Sequence, residues 1–402
     1  MRVAIVNCAH RLIGGVETYL QRLVPELLLH GCEIAFFSET GGPDSRPPII
    51  NQSDVPIWCI AELGSDAAFA ALRTWRPDVI YVHGIQDAAV EVQLLTIAPA
   101  VFFAHVYSGT CISGRKSFRT PTIEPCDRRF GAACIAYYYP RRCGGLNPVT
   151  MWHDYRRGET RLRNLRRYRA IVAGSEHMRR EYLKHGFDAA SVHLIRLPIT
   201  EHKPLSPSSR TASDRNRQLK LLFAGRMVFE KGGDVLIRAL PLVASSVGRP
   251  IQLDLVGEGP ELRAWQNLSD KVMRQNPTVK IIFHPWLESP DLAAAFDATD
   301  LLVVPSVWPE PFGLTGPEAG LQSVPVAAFN VGGIPEWLHD GVNGHLANAH
   351  PCTSDNLATA IAACLRDEPH YTALREGAYR VASQFNLTTH VSRLLEILSP
   401  QR

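Results

Sequence analysis

A chain of 402 residues, 46% of them apolar and 20% charged, is long enough for two or three globular cores and too rich in apolar residues to be disordered. No apolar run approaches the ~18 residues of a membrane-spanning helix, and the opening Met1-Arg-Val-Ala-Ile-Val reads as a short strand instead of a secretion signal. Nine cysteines without a Cys-x-x-Cys pair argue against a disulfide framework, so the expected location is the cytoplasm.

The net charge of +3 is unevenly spread: residues 106–180 hold sixteen Lys or Arg against five Asp or Glu, a local +11 that leaves the rest at −8. Over the first 200 residues, short apolar runs at 3–7, 33–38, 57–60, 79–83, 100–104, 170–173 and 192–197 alternate with stretches of helical period. Strands alternating with helices predict a parallel sheet covered on both faces. Residues 201–217, with Lys203-Pro-Leu-Ser-Pro, have linker composition. Beyond them the alternation restarts at 219–224, 251–256, 279–283, 301–304 and 326–329. The expected fold class is α/β, with two doubly wound, Rossmann-like domains at 1–200 and 218–384 whose strand ends face a central cleft. In the last segment, 385–402, Val391, Leu394, Leu395 and Leu398 recur at helical spacing.

Several strand-to-helix turns carry residues suited to a ligand that combines phosphate with hydroxyl groups. After the first strand, Gly14-Gly15 lies on a turn opening a helix, without the G-x-G-x-x-G spacing of a nicotinamide site. His105 follows the run 100–104 at its cleft-facing end; His83 and His10 are weaker alternatives for the same role. Gly225-Arg226-Met-Val-Phe-Glu-Lys231-Gly-Gly233 places a guanidinium and an ammonium five positions apart, where both can reach one diphosphate. Gly257 lies on a later glycine turn and His284 ends the run after it. In Glu310-Pro-Phe312-Gly313-Leu314-Thr315-Gly-Pro-Glu318, two carboxylates flank a turn whose free N–H groups attract phosphate, each contact worth about 0.3–1 kcal/mol.

The insertion 106–169 is the least readable part. Cys111, Cys126, Cys134 and Cys143 could ligate zinc, but separations of 15, 8 and 9 lack the paired short spacing of structural sites, so ordinary thiols and no metal are expected. Arg156, Arg157, Arg161, Arg163, Arg166, Arg167 and Arg169 read either as a solvated helix face or as a contact for anionic lipid headgroups or a lipid diphosphate. No nucleic-acid-binding module accompanies them.

The strand 301–304, Glu310-Pro-Phe-Gly-Leu, Glu318, Pro325-Val-Ala-Ala, Gly332-Gly-Ile-Pro-Glu336 and Asp340-Gly-Val-Asn-Gly344 together resemble family 4 of the retaining glycosyltransferases over about forty residues. The G-R-x-x-x-x-K-G element at 225–232 is similar too. This resemblance implies the GT-B architecture, with 1–200 as the acceptor domain, 218–384 as the nucleotide-sugar domain and the last helix returning to the first. It implies a sugar moved from a nucleotide diphosphate sugar to a glycan, lipid-linked or small-molecule acceptor, with retention at the anomeric carbon and without a cofactor or metal. No Asp-x-Asp occurs in the chain, which agrees with the last point. By the same resemblance Arg226 and Lys231 neutralise the leaving diphosphate, Glu310 and His105 meet the transferred sugar, and Glu318 binds the ribose. Gly14, Gly15, Gly257, His284 and Phe312 to Thr315 then line the donor site. Pro285 stands where the family usually has glycine, which puts the choice of base in doubt. An epimerase acting on nucleotide sugars, or a silent binding protein of this fold, are the alternatives.

Overall fold

The computed structural model describes residues 1–50, 55–199, 218–287 and 289–399; the expected linker 201–217 lies outside them. The first sheet contains β1 (Arg2–Ala9), β2 (Glu33–Thr40), β3 (Ile57–Cys59), β4 (Val79–Val82) and β5 (Ala100–Ala104). Two short strands, β6 (Ser117–Phe118) and β7 (Glu124–Pro125), form a separate antiparallel pair in the insertion. The first sheet resumes with β8 (Ala170–Ala173) and β9 (Val192–Leu194), giving the order β3-β2-β1-β4-β5-β8-β9, parallel throughout. The second sheet holds β10 (Leu219–Ala224), β11 (Ile251–Val256), β12 (Val279–His284), β13 (Leu301–Val304), β14 (Val326–Phe329) and β15 (Gly344–Ala347), parallel in the order β12-β11-β10-β13-β14-β15. In each sheet the winding direction reverses beside its first strand, between β1 and β4 and between β10 and β13. Such a reversal splays the following loops apart and leaves a crevice at the carboxyl ends of the strands.

The predicted apolar runs coincide with strands because parallel strands covered on both faces must be apolar on both. All four residues of β4 and all five of β5 are buried. One element departs from the sequence reading. Strand β15, Gly-His-Leu-Ala, closes the second sheet although it has no continuous apolar run, since an edge strand needs only one partner. The helix after Glu310 begins at Thr315 and carries Pro317 in its first turn, where no N–H bond is lost.

The final helix, Leu387–Leu398, buries His390, Val391, Leu394 and Leu398. It lies against the helix Gly15–Leu29, near the chain's start. Tyr19 and His390 meet there, oxygen to Nε2, at 2.7 Å. His390 Nδ1 lies 2.8 Å from the Arg196 carbonyl, which can only accept, so Nδ1 carries the proton and the tyrosine donates to Nε2.

Candidate active site

The segment after β13 forms the floor of the crevice. Gly332 sits at φ +59°, and a Cβ there would overlap the backbone of Glu310; the N–H of Gly333 donates to the Glu310 carbonyl at 2.7 Å. Only glycine allows these two loops to pass so closely. The Glu310 side chain, 4% exposed, accepts from Lys231 Nζ at 2.6 Å and from Ser306 Oγ at 2.5 Å. Lys231 is placed by the short turn Phe229–Lys231 and by Gly232, at φ +64°, whose missing side chain leaves room for the Pro305 carbonyl. A buried carboxylate is therefore paired with an ammonium that is itself about 29% exposed and can turn toward a ligand.

Arg226, from the same loop, is exposed and has no side-chain partner among the described residues. Glu230, between the two cations, is covered from the first domain: Arg115 Nε lies 2.9 Å and Arg119 Nη2 3.5 Å from its Oε1, and the Arg119 guanidinium stacks 3.6 Å from the Phe229 ring centre. The insertion thus straps the loop 225–233. A second strap is backbone: the N–H of Cys352 donates to the carbonyl of Ile123 at 2.9 Å.

Glu318 faces Arg22, midway along the helix Gly15–Leu29, at 3.4 Å, bringing that helix to the second sheet. Gly14 is fixed by Glu17, whose Oε2 accepts its N–H at 2.9 Å while Oε1 accepts from Asn7 at 2.8 Å. Gly14 and Gly15 open the helix Gly15–Leu29 as the sequence reading had it; within the protein alone nothing crowds them, since Gly14 has extended φ −168° and a Cβ on Gly15 would meet nothing within 4 Å. Any crowding there has to come from a ligand.

His105 lies beside His83, Nε2 to Nδ1 at 2.9 Å, and stacks on Phe103 with ring centres 4.3 Å apart. Burial, helped by His390, pushes its pKa down to about 3, so it is neutral at any physiological pH. His83 is shifted down by the same cause, and its Nε2 is buried without a partner. His10, the other alternative, bonds Ser38 at 3.1 Å and pairs with Glu62.

Gly257, at φ +136°, packs against the Gly225 carbonyl, so this glycine joins two strand-end loops. His284 is drawn to Asp254 at 2.9 Å. The Phe312 ring is buried in the core and its carbonyl accepts from Trp337 Nε1 at 2.6 Å. What Phe312 can offer a ligand is backbone, continued by the half-buried Gly313, Leu314 and Thr315.

Several contributors were not readable in the sequence. Tyr107 donates its single hydroxyl proton to the Pro309 carbonyl at 2.6 Å, so its contact with His177 Nε2 at 2.7 Å must run the other way, with His177 donating. Ser175 bonds the Pro311 carbonyl, and the His177 N–H reaches Glu336 at 3.1 Å. The first domain grips the 309–311 backbone directly. Ser306, four residues before Glu310, had the one local signal that could have been read. Beside His105, a cavity of about 190 Å³ opens at the ends of β4 and β5, lined among others by Gln86, Tyr107, Ser108, Arg157 and Arg161.

Two parallel, doubly wound sheets with charged loops meeting across a crevice define the GT-B class of architecture. Anabaena HepE, solved with UDP-glucose, superposes with a TM-score of 0.69 at 19% identity over 99% of each chain. Sucrose-phosphate synthase from Thermosynechococcus elongatus gives a TM-score of 0.73 at 18% identity over 98% of each. Residues 13–202 match the family model Glycosyltransferase Family 4, and residues 208–381 match Glycosyl transferases group 1. The chain belongs to the family 4 glycosyltransferases. A D-inositol 3-phosphate glycosyltransferase of Xylanimonas cellulosilytica is 28% identical over 241 residues, 57% of this chain and 56% of that protein. A 41.2 kDa protein encoded in the cps region of Klebsiella pneumoniae is 31% identical over 134 residues, 33% and 34% of the two chains. The matched stretches thus span about half, or less, of these relatives' length.

Proposed function

We propose that this protein transfers a glycosyl unit from a nucleotide diphosphate sugar to a hydroxyl acceptor with retention of anomeric configuration. The observation that carries this reading is the 2.6 Å contact between Lys231 and Glu310, which joins the diphosphate-loop cation to the sugar-side carboxylate. When the diphosphate departs, Lys231 and Arg226 balance the growing negative charge, aided by N–H groups of residues 312–315. Such charge-assisted bonds contribute about 1.5–3 kcal/mol each when desolvated. Glu310 then faces the electron-poor sugar, and Glu318, held loosely by Arg22, takes the ribose hydroxyls. Neutral His105 bonds sugar hydroxyls without repelling the positive centre. The acceptor attacks from the face the leaving group vacated, and its proton passes to the departing phosphate. These residues do the work that cation chemistry requires, so no cofactor is invoked. The solved complex of HepE with UDP-glucose supports the donor class, and the cavity lined by Ser108 and Gln86 supports a hydroxyl-bearing acceptor such as a glycan, a lipid-linked sugar or a small molecule.

The test is Lys231→Ala, with turnover expected to fall roughly 10²–10³-fold. Because Lys231 also neutralises buried Glu310, the double variant Lys231→Ala/Glu310→Gln is measured alongside: it regains stability but not turnover. Wild-type turnover in Lys231→Ala defeats the proposal.

Among the described residues no helix is long and apolar enough to cross a membrane. Peripheral contact with an anionic bilayer is part of the proposal, carried by exposed Leu146 (68%), Val149 (62%) and Trp152 (53%) beside exposed Arg156. An apolar tip with flanking cations is the composition of an interfacial anchor. Replacing Trp152 by Ala is expected to lower cosedimentation with phosphatidylglycerol vesicles several-fold and leave the melting temperature unchanged; equal sedimentation removes the membrane claim.

A further inference from the structure

Toward the β3 edge of the first sheet, the carboxyl ends of three neighbouring strands gather a second group of chemically able side chains. His10 directly follows β1, Cys59 is the last residue of β3, and Glu62 lies three residues on, in the one-turn helix Ile60–Leu63. Parallel pairing puts Cys59 opposite Ser38 of β2, and Ser38 in turn bonds His10 Nδ1 at 3.1 Å. One ligand atom from each of His10, Cys59 and Glu62 lies within 4.8 Å of the other two, and no other such group of three occurs among the described residues.

Contacts within the protein do not account for this meeting. His10 Nε2 stands 3.6 Å from Glu62 Oε1, too long for a hydrogen bond. Burial lowers the pKa of His10 against the opposing effect of the Glu62 charge, so the ring is neutral at pH 7 and the contact gains little as an ion pair. Nitrogen and oxygen ligands of a tetrahedral zinc ion, with bonds of about 2.0–2.2 Å, stand roughly 3.3 Å apart, close to the observed separation. Gly41 keeps the space open: a Cβ there would come within 3.1 Å of Glu62 Oε1 and 3.8 Å of His10 Nε2. His10 and Cys59 are buried, whereas the Glu62 side chain is 56% exposed and leaves a way in from solvent.

We propose that His10 Nε2, the Cys59 sulfur and a Glu62 carboxylate oxygen bind one zinc ion, with a water molecule completing the tetrahedron. Imidazole, thiolate and carboxylate are all ligand types that zinc accepts, and three protein ligands leave a fourth position open. As the zinc–sulfur bond forms, the Cys59 thiol proton passes to solvent and no electron moves. Thiolate and carboxylate together balance the two positive charges of the ion, so a half-buried site gains no net charge. His10 Nδ1 keeps its proton and donates to Ser38 Oγ, which holds the ring in the tautomer whose Nε2 lone pair faces the metal. The ion ties the ends of β1 and β3 together and fixes the start of the segment from His10 to Gly14, where Gly42 already lies against Ala9 and Arg11. The site is independent of the transferase reading, since none of its three ligands takes part in the proposed sugar transfer.

The full chain, stripped with a chelator and desalted under reducing conditions, is titrated with zinc chloride against a competing chromogenic chelator. The expected stoichiometry is about one zinc per chain, with affinity reduced roughly 10–100-fold in Glu62→Gln and in Cys59→Ser and unchanged in Cys126→Ser. Because Glu62 is exposed, its variant keeps the fold, and zinc is expected to raise the melting temperature of the wild type but not of Glu62→Gln. Cobalt chloride in place of zinc reads the ligands directly: a thiolate-to-cobalt charge-transfer band appears in the wild type and is lost in Cys59→Ser. A wild type that binds no zinc, full affinity in Glu62→Gln, loss of binding in Cys126→Ser, or a cobalt spectrum without the sulfur band overturns the assignment.

Discussion

Glu310 is a carboxylate removed from water and returned to hydrogen bonds by two neighbours of different kinds. Lys231 supplies charge and Ser306 supplies a neutral donor at 2.5 Å. Ser306→Ala leaves the ion pair but removes one bond to a buried charge, which costs about 1.5–3 kcal/mol. Chemical denaturation of that variant is expected to show this loss; an unchanged midpoint means that Ser306 does not support the carboxylate. Lys231 and Glu310 each stand in a contiguous motif, so their residue types and turns were legible in the sequence. Their partners were not. Tyr107 and Pro309 are 202 positions apart and Arg22 and Glu318 are 296 apart, and no local pattern encodes contacts of that span.

At the scale of elements, strand runs and the parallel α/β class were legible because burial on both faces forces apolar composition. The insertion was not, since its two-residue strands and six-residue helix have too little periodicity to be seen. Its densely basic helix, Pro148–Leu165, proves to be mixed: Arg161 is buried and paired with fully buried Glu91, which also accepts from Asn164 at 2.8 Å and Tyr168 at 2.7 Å, whereas Arg156, Arg157 and Arg163 are exposed. Beyond the helix end, Arg166 and Arg169 bond carbonyls of Gly186 and Leu398. Three of the seven arginines are therefore engaged in structural contacts. The strap on Glu230 uses Arg115 and Arg119, 41% and 32% exposed, so it adds little stability. Arg115→Ala/Arg119→Ala is expected to change unfolding free energy by less than about 1 kcal/mol. Freed Glu230 would oppose the diphosphate, weakening nucleoside diphosphate binding by roughly fivefold, near 1 kcal/mol, in calorimetric titration. Unaltered affinity would reduce the strap to a surface contact.

Across the whole molecule, neutral histidines seal the places where the two sheets and the last helix join. His105 is lowered to about 3 and His177 and His390 to about 4, each chiefly by burial. An unfolded histidine takes up its proton near pH 6.5, while these wait until about pH 4 or below. Between those values the unfolded chain binds more protons, so stability is full above pH 6.5 and falls on acidification through that window. The melting temperature is expected to decline steadily from pH 6.5 to 4, less steeply in His390→Gln. A flat profile would mean that these rings are solvated.

The pairing of Tyr19 with His390 also orders events in time, because synthesis runs from the first residue to the last. The opening lobe leaves the ribosome long before the helix that covers it, and Tyr19 must wait for some 370 further residues. Until then a seam of aromatic rings on the nascent chain stays open. Completion of the first lobe is thereby deferred until the helix Leu387–Leu398 has been made.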